Sequence, residues 1–540
     1  MSRPVLVLGL DGASFDVIRP LTAAGRLPNL ARWLGHGHAA VLHSTVPPVS
    51  FPAWSSFATG LDPGAHGLFD FTQKLPGRYR IRFTNATDRR GSTLFGRASA
   101  AGRRVLALGM PATFPPEPVD GLLVAGFDAP VSTGSSARAA SDPALYQAIA
   151  ARTGPWMRAD LDESAREDGW HERAAARLVA RVGEKSAFAL EALRQLRAVG
   201  RAPDLACVVF SESDTVAHHF WRDHDPASPR HDPRASAERR GAVAAVYEAL
   251  DAACGALREA MGSEAAVFVV SDHGAGGAAR RVVHLNRRLA EAGLLAFERG
   301  SDGLARAARD AALRVLPPRV RELAFRRLRF AAARVESAAR FGGIGWTKTC
   351  AFSEEANTQP GVWINLRGRE EAGAVGPADY ERIRSDVIAA LLDWKLPDGA
   401  PVVARARRRE EVYAGPCVER APDVVVELAL DAGYGLSLVP TPLGDAAPAL
   451  RWLEAHELVG GRGRGMNGTH RPEGLWLEDG AFASSFAAGH GALPAAAAPI
   501  LRALGLAGDG AATGPTGVRA YTAEEEALVA ERLRRLGYLD

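Results

Sequence analysis

The sequence predicts an α/β fold on a mostly parallel sheet, with helical segments inserted between its strands. Three observations carry that prediction. Continuous apolar runs at residues 4–10, 204–210 and 266–270 read as strands buried on both faces. Each run ends in acidic residues, as Asp11-Gly12, Ser211-Glu212-Ser213-Asp214 and Ser271-Asp272-His273-Gly274. Between the runs, residues 142–152 and 172–197 carry apolar side chains at helical spacing. Open α/β sheets bind ligands beyond the carboxyl ends of their strands, so these acidic termini mark a site as well as a fold.

Composition narrows the function. The 540 residues are 47% hydrophobic and 24% charged with a formal net charge of +3, so nothing global calls for a nucleic-acid polymer as partner. The run Val5-Leu6-Val7-Leu8 is too short for a signal-peptide core and lacks a small-residue cleavage site. It reads as the first strand, and a cytoplasmic protein without a membrane span is expected. Cys207, Cys254, Cys350 and Cys417 are far apart and form no Cys-x-x-Cys pair, which argues against a zinc knot or a disulfide framework.

Taken in order, the first strand leads into Gly9-Leu10-Asp11-Gly12, which is not a dinucleotide fingerprint. An aspartate in that turn repels a pyrophosphate unless a metal intervenes, and a helix N-cap is the plainer reading. A second run at 39–42 stops at Pro47-Pro48. After it, Ala53, Phe57 and Ala58 recur at helical spacing, with Pro52 suited to a first helical turn. Ser50 is thus expected just ahead of a helix N-terminus, either as a plain cap or as a hydroxyl facing free N–H groups that favour an oxyanion or a phosphate. Strands are expected at 104–108 and 122–125. On the helix after residue 210, Asp214 and His218 share a face, a spacing that lets a carboxylate and an imidazole grip one ion.

Beyond Asp272-His273, residues 302–340 read as amphipathic helices broken at Pro317-Pro318 and rich in arginine. A solvated face on a helical cap is preferred there to a surface for anionic lipid or for a polyanionic substrate. Strands at 361–366, 423–428 and 474–477 and a helix at 377–392 follow. A glycine-rich loop at 460–470 ends in His470, with nothing local to assign that residue to a site. Residues 508–517 read as a linker, after which Thr522 and Glu525 form a capping box for a last helix ending near residue 536. The expected organisation is a catalytic core at 1–285 and 346–507, an inserted cap at 286–345, and a linker with a C-terminal helix at 508–540.

The ordered set of Asp11, Ser50 in Val-Ser-Phe-Pro-Ala-Trp, the loop from Thr59-Gly60 to His66-Gly67, Asp214-x-x-x-His218, Asp272-His273-Gly274 and Gly468-Thr-His470 resembles the alkaline phosphatase superfamily. Within it, the set is most similar to a bacterial branch of the type I phosphodiesterases and nucleotide pyrophosphatases. The resemblance implies an alkaline-phosphatase-like three-layer sandwich and hydrolysis of a small phosphate ester. It also implies two divalent metal ions, Zn²⁺ with Mn²⁺ as the alternative. One would be held by Asp11, Asp272, His273 and the Ser50 oxygen, the other by Asp214, His218 and His470. Ser50 would attack phosphorus and give a phosphoseryl intermediate that water then hydrolyses. The phosphate-contacting asparagine of many relatives falls, without gaps, near Asp70 and Phe71, so substrate contacts are expected there and at Phe51.

Three rivals share the pattern in part. A sulfatase would carry Cys/Ser-x-Pro-x-Arg, and here Trp54 stands at the arginine position. A phosphomutase would need arginines delivered by the cap. An inactive binding module would have lost a ligand, yet all seven positions are filled.

Overall fold

All six residues of the strand Val5–Leu10 are buried, and successive side chains go to opposite faces of its sheet. Leu6, Leu8 and Leu10 enter one apolar cluster, Val5 and Val7 another. The neighbouring strands divide in the same way: Ala206, Val208 and Phe210 join the first cluster, and Leu205, Cys207 and Val209 the second. Each face therefore needs a helical layer, and each has one. The helices Trp170–Ala198 and Ala237–Met261 bury their apolar stripes in the first cluster, and Ser50–Thr59 and Ala497–Ala503 bury theirs in the second. The result is the α/β sandwich that the sequence predicts.

The computed structural model describes residues 3–130, 136–158, 161, 169–298, 337, 340–442, 448–454, 457–458, 466–479, 486, 489–507 and 521–535. Its central sheet has the order His490–Ala492, His38–His43, Glu473–Glu478, Ala266–Val270, Val5–Leu10, Leu205–Phe210, Val105–Leu108, Gly121–Val124. Glu473–Glu478 runs antiparallel to both neighbours, and the other pairings are parallel. Register then places the site. Leu10 lies opposite Phe210 and Gly9 opposite Val270, so Asp11, Asp272 and the helix bearing Asp214 emerge together at one edge. The antiparallel strand begins at that edge and brings the segment before it, with His470, to the same place.

The structure departs from the sequence reading at the strand Gly274–Val283, for which no strand was expected. It leaves the central sheet at His273 and pairs with Tyr434–Leu438, Leu450–Trp452 and Gly468–Arg471. Three of its first four residues are glycine, which erases the alternation that would reveal a strand. Those glycines make room. A Cβ on Gly277 would lie 2.7 Å from the Tyr434 ring and 2.9 Å from Trp221. The loop expected at 460–470 also ends differently, because Gly468–Arg471 is a strand and His470 sits within it, opposite Ala275.

The final helix, Ala523–Arg535, carries the expected capping box: Thr522 N–H donates to Glu525 Oε2 (2.9 Å), and Glu525 N–H donates to Thr522 Oγ1 (3.2 Å). Its Val529, Ala530 and Leu533 pack with Val49, Phe51 and Phe71 and so buttress the residues flanking Ser50. The arginine-rich helices expected at 302–340 lie outside the described residues except for Ser337 and Arg340, and the linker at 508–517 lies wholly outside them. Among the described residues no helix is long and apolar enough to cross a membrane.

Candidate active site

Ser50 opens the helix Ser50–Thr59, whose ten residues are all buried. It is the first helical residue, with Val49 at the cap position, so the expectation of a serine ahead of the helix is off by one. The difference frees the side chain from capping. Ser50 Oγ donates to Asp11 Oδ1 at 3.2 Å and lies 3.5 Å from His273 Nε2. One turn further on, Trp54 Nε1–H donates to Asp11 Oδ2 at 3.0 Å.

The three histidines are held alike. His218 Nδ1 lies 2.9 Å from Gly468 O, His470 Nδ1 2.7 Å from Pro48 O, and His273 Nδ1 2.9 Å from Gly274 O. A carbonyl oxygen only accepts, so each Nδ1 carries the proton and each Nε2 turns a lone pair to the centre. There, His218 Nε2 and His470 Nε2 face each other at 2.9 Å, and both approach Asp214 Oδ1, at 3.1 and 3.4 Å. The His273 and His470 rings stack with centroids 3.9 Å apart, so the two halves of the site are contiguous.

The carboxylates complete it. Gly12 N–H donates to Asp272 Oδ1 at 3.2 Å, while the buried Asp272 Oδ2 has no hydrogen-bond partner and lies 3.5 Å from His273 Nε2. Burial, with the charges of Asp272 and Asp214 beside it, raises the Asp11 carboxyl well above its usual range. Burial and Asp214 push Asp272 up to about 8, and burial with the adjoining His470 pushes His273 down to about 3. Burial would raise Asp214 too, yet the His218 and His470 rings, once protonated at Nε2, outweigh it by charge and hydrogen bonding and hold that carboxyl low. Converging lone pairs, an orphaned carboxylate oxygen and three crowded buried aspartates are unfavourable without positive charge, and they fit a divalent cation.

Donor atoms of Asp214, His218 and His470 lie within 4.8 Å of one another, as do those of Asp11, Asp214 and His273. The second expected set is thus found together, whereas Asp11 and His273 group with Asp214 rather than with Asp272, whose Oδ2 lies 3.5 Å from His273 Nε2. Saturating the protein with a divalent cation to about 100 times its Kd should therefore add about 2.7 kcal/mol per occupied site, read as a rise in melting midpoint that EDTA reverses.

Several residues that hold the site were not singled out as doing so in the sequence. Ser213 Oγ donates to the Asp11 carbonyl at 2.6 Å. Lys185, in the helix Trp170–Ala198, pairs with buried Glu212 at 2.6 Å and fixes the start of the helix bearing Asp214. The residues expected to contact substrate are all buried. The Phe51 and Phe71 rings pack at 4.4 Å in the apolar cluster under the C-terminal helix. Asp70 is buried, accepts from Thr358 Oγ1 at 2.9 Å, and is pushed by burial to about 7.

The model of the type I phosphodiesterase / nucleotide pyrophosphatase family matches residues 5–436. No curated protein matches in sequence. Among solved structures, phosphonoacetate hydrolase from Sinorhizobium meliloti 1021, in complex with phosphonoformate, is similar in fold. It has 16% identity and a TM-score of 0.54, over 93% of this chain and 96% of that one. Murine ectonucleotide pyrophosphatase / phosphodiesterase 5 aligns with 11% identity and a TM-score of 0.47, over 94% of this chain and 96% of that one.

Proposed function

The chain belongs to the type I phosphodiesterase / nucleotide pyrophosphatase family and is a hydrolase of phosphoric ester bonds; from that premise we propose that it uses Ser50 as nucleophile at a two-metal site. The observation that carries the reading is the position of Ser50 Oγ, at a helix start and between Asp11 Oδ1 and His273 Nε2.

Asp11, Asp272, His273 and the Ser50 oxygen would hold one ion, and Asp214, His218 and His470 the other. Mixed carboxylate and imidazole donors favour Zn²⁺. When bound, the ions supply positive charge that lowers the pKa of Ser50 and stabilises charge on the ester oxygens. The protein supplies the rest. Ser50 Oγ forms a bond to phosphorus as the bond to the leaving oxygen breaks, and water then cleaves the phosphoseryl ester. Pro52 has no N–H, and Ala53 N–H is bonded to Val49 O, so the N–H groups of Ser50 and Phe51 are those offered to charge on the phosphoryl oxygens. The carbonyls of Pro48, Gly468 and Gly274 keep the three imidazoles in one tautomer throughout.

The test is hydrolysis of bis-p-nitrophenyl phosphate against p-nitrophenyl sulfate by protein loaded with Zn²⁺ or Mn²⁺. Faster phosphate ester hydrolysis that EDTA abolishes is expected. A preference for the sulfate would overturn the reading in favour of a sulfatase.

A further inference from the structure

We propose that Trp54 is a positioning residue that sets which metal ion the Ser50 half of the site accepts, an inference that rests on the two-metal reading above. Trp54 is fully buried, and a buried indole N–H needs an acceptor. It takes Asp11 Oδ2 at 3.0 Å. Both ends of this contact are built for it. Four residues after Ser50, Trp54 lies one helical turn beneath the nucleophile, and its ring meets Phe57 edge-on with centroids 5.4 Å apart. Beside it, Gly9 provides room, since a Cβ there would lie 2.9 Å from Trp54 Cη2.

The consequence is a restricted number of donors. An aspartate with both oxygens available can bind an ion through two atoms and raise its coordination number. Here the indole N–H occupies Asp11 Oδ2, and the Gly12 N–H occupies Asp272 Oδ1 in the same way. Asp11 Oδ1, Asp272 Oδ2, His273 Nε2 and Ser50 Oγ then face the ion as single donor atoms, with Asp214 shared with the other half of the site. Their recorded separations are 3.2 Å for Ser50 to Asp11 and 3.5 Å each for His273 to Ser50, to Asp11 and to Asp272. A tetrahedron with Zn–N and Zn–O bonds of about 2.0–2.1 Å has edges of about 3.3 Å. Ions that demand six oxygen-rich positions, as Mn²⁺ does, are poorly served by a few single-atom donors of which one is an imidazole. Without the indole N–H, Asp11 would be free to offer both oxygens.

The experiment is isothermal titration of full-length wild type and Trp54→Phe with Zn²⁺ and separately with Mn²⁺, with Trp54→Met measured alongside as a second variant that keeps the apolar bulk. Melting midpoints in EDTA report any purely structural damage. The expected result is a Zn²⁺ affinity about 10- to 100-fold weaker at one of two sites, the scale of losses when an outer partner of a ligand is removed. Mn²⁺ affinity should hold or rise, narrowing the preference. A lowered melting midpoint with an unchanged Zn²⁺/Mn²⁺ ratio in both variants would make Trp54 a packing residue and overturn the inference alone. Wild type that binds neither ion would overturn the two-metal reading itself.

Discussion

Replacing Ser50 by alanine should lower kcat for an activated phosphodiester by about 10⁴- to 10⁶-fold, the scale seen when an enzyme loses its nucleophile. That is about 5–8 kcal/mol of barrier, far more than the variant should cost in stability. Ser50 does not cap its helix, and its hydroxyl is bonded to a carboxylate whose other oxygen stays held by Trp54. Other hydroxyls on the helix are poorly placed to substitute. Ser56 lies almost two turns away and is engaged with His66 Nε2 at 2.9 Å. Asp11, Asp272 and His273 remain, so the variant should still bind metal. Retained metal binding with turnover lost, and no phosphoserine trapped on rapid quenching, is the expected outcome. Turnover equal to that of the parent would mean that water, not Ser50, attacks phosphorus.

Ser50, Asp11, Asp214, His218, Asp272 and His273 were legible because each lies at or just beyond an element that the sequence announces. Asp11, Asp214 and Asp272 come just after apolar runs that are unmistakable strands, and Ser50 follows a proline-marked turn. Ser50 itself was misplaced by one residue, since helix boundaries are poorly fixed by local pattern. His470 was different. Its approach depends on the pairing of Gly468–Arg471 with Gly274–Val283, two stretches in which glycine hides the strand period. The residues that support the site were beyond reach for another reason. Gly12 meets Asp272 across 260 positions, and Trp54 meets Asp11 across 43. Sequence spacing carries information about one helix face or one strand, and these contacts join separate elements through register. The meeting of the three carboxylates is likewise a product of how Val5–Leu10 aligns with Leu205–Phe210 and with Ala266–Val270.

Gly12→Ala should be strongly damaging, though a glycine has no side chain to take part in the reaction. Gly12 has φ +65°, and a Cβ there would lie 2.9 Å from both Cβ and Oδ1 of Asp214 and 3.1 Å from its Cα. The left-handed conformation alone costs an alanine about 1–2 kcal/mol. Relief of the contact is harder. The helix carrying Asp214 is held by the buried Lys185–Glu212 pair and by the bond from Ser213 Oγ to the Asp11 carbonyl, so it cannot slide away cheaply. Either Asp214 swings out, or the Gly12 turn opens and releases the N–H that holds Asp272 Oδ1. Both routes remove a ligand from the cluster. The expected outcome is a fall in kcat/KM of about 10³-fold or more, the loss of about 4 kcal/mol of transition-state stabilisation, together with fewer than two bound ions by titration. Gly25→Ala separates strain from contact. Gly25 has φ +72° but nothing within 4 Å of its would-be Cβ, so that variant should lose stability and keep both ions and activity. If Gly12→Ala behaved like Gly25→Ala, the fit between the first turn and Asp214 would have no part in holding the metals.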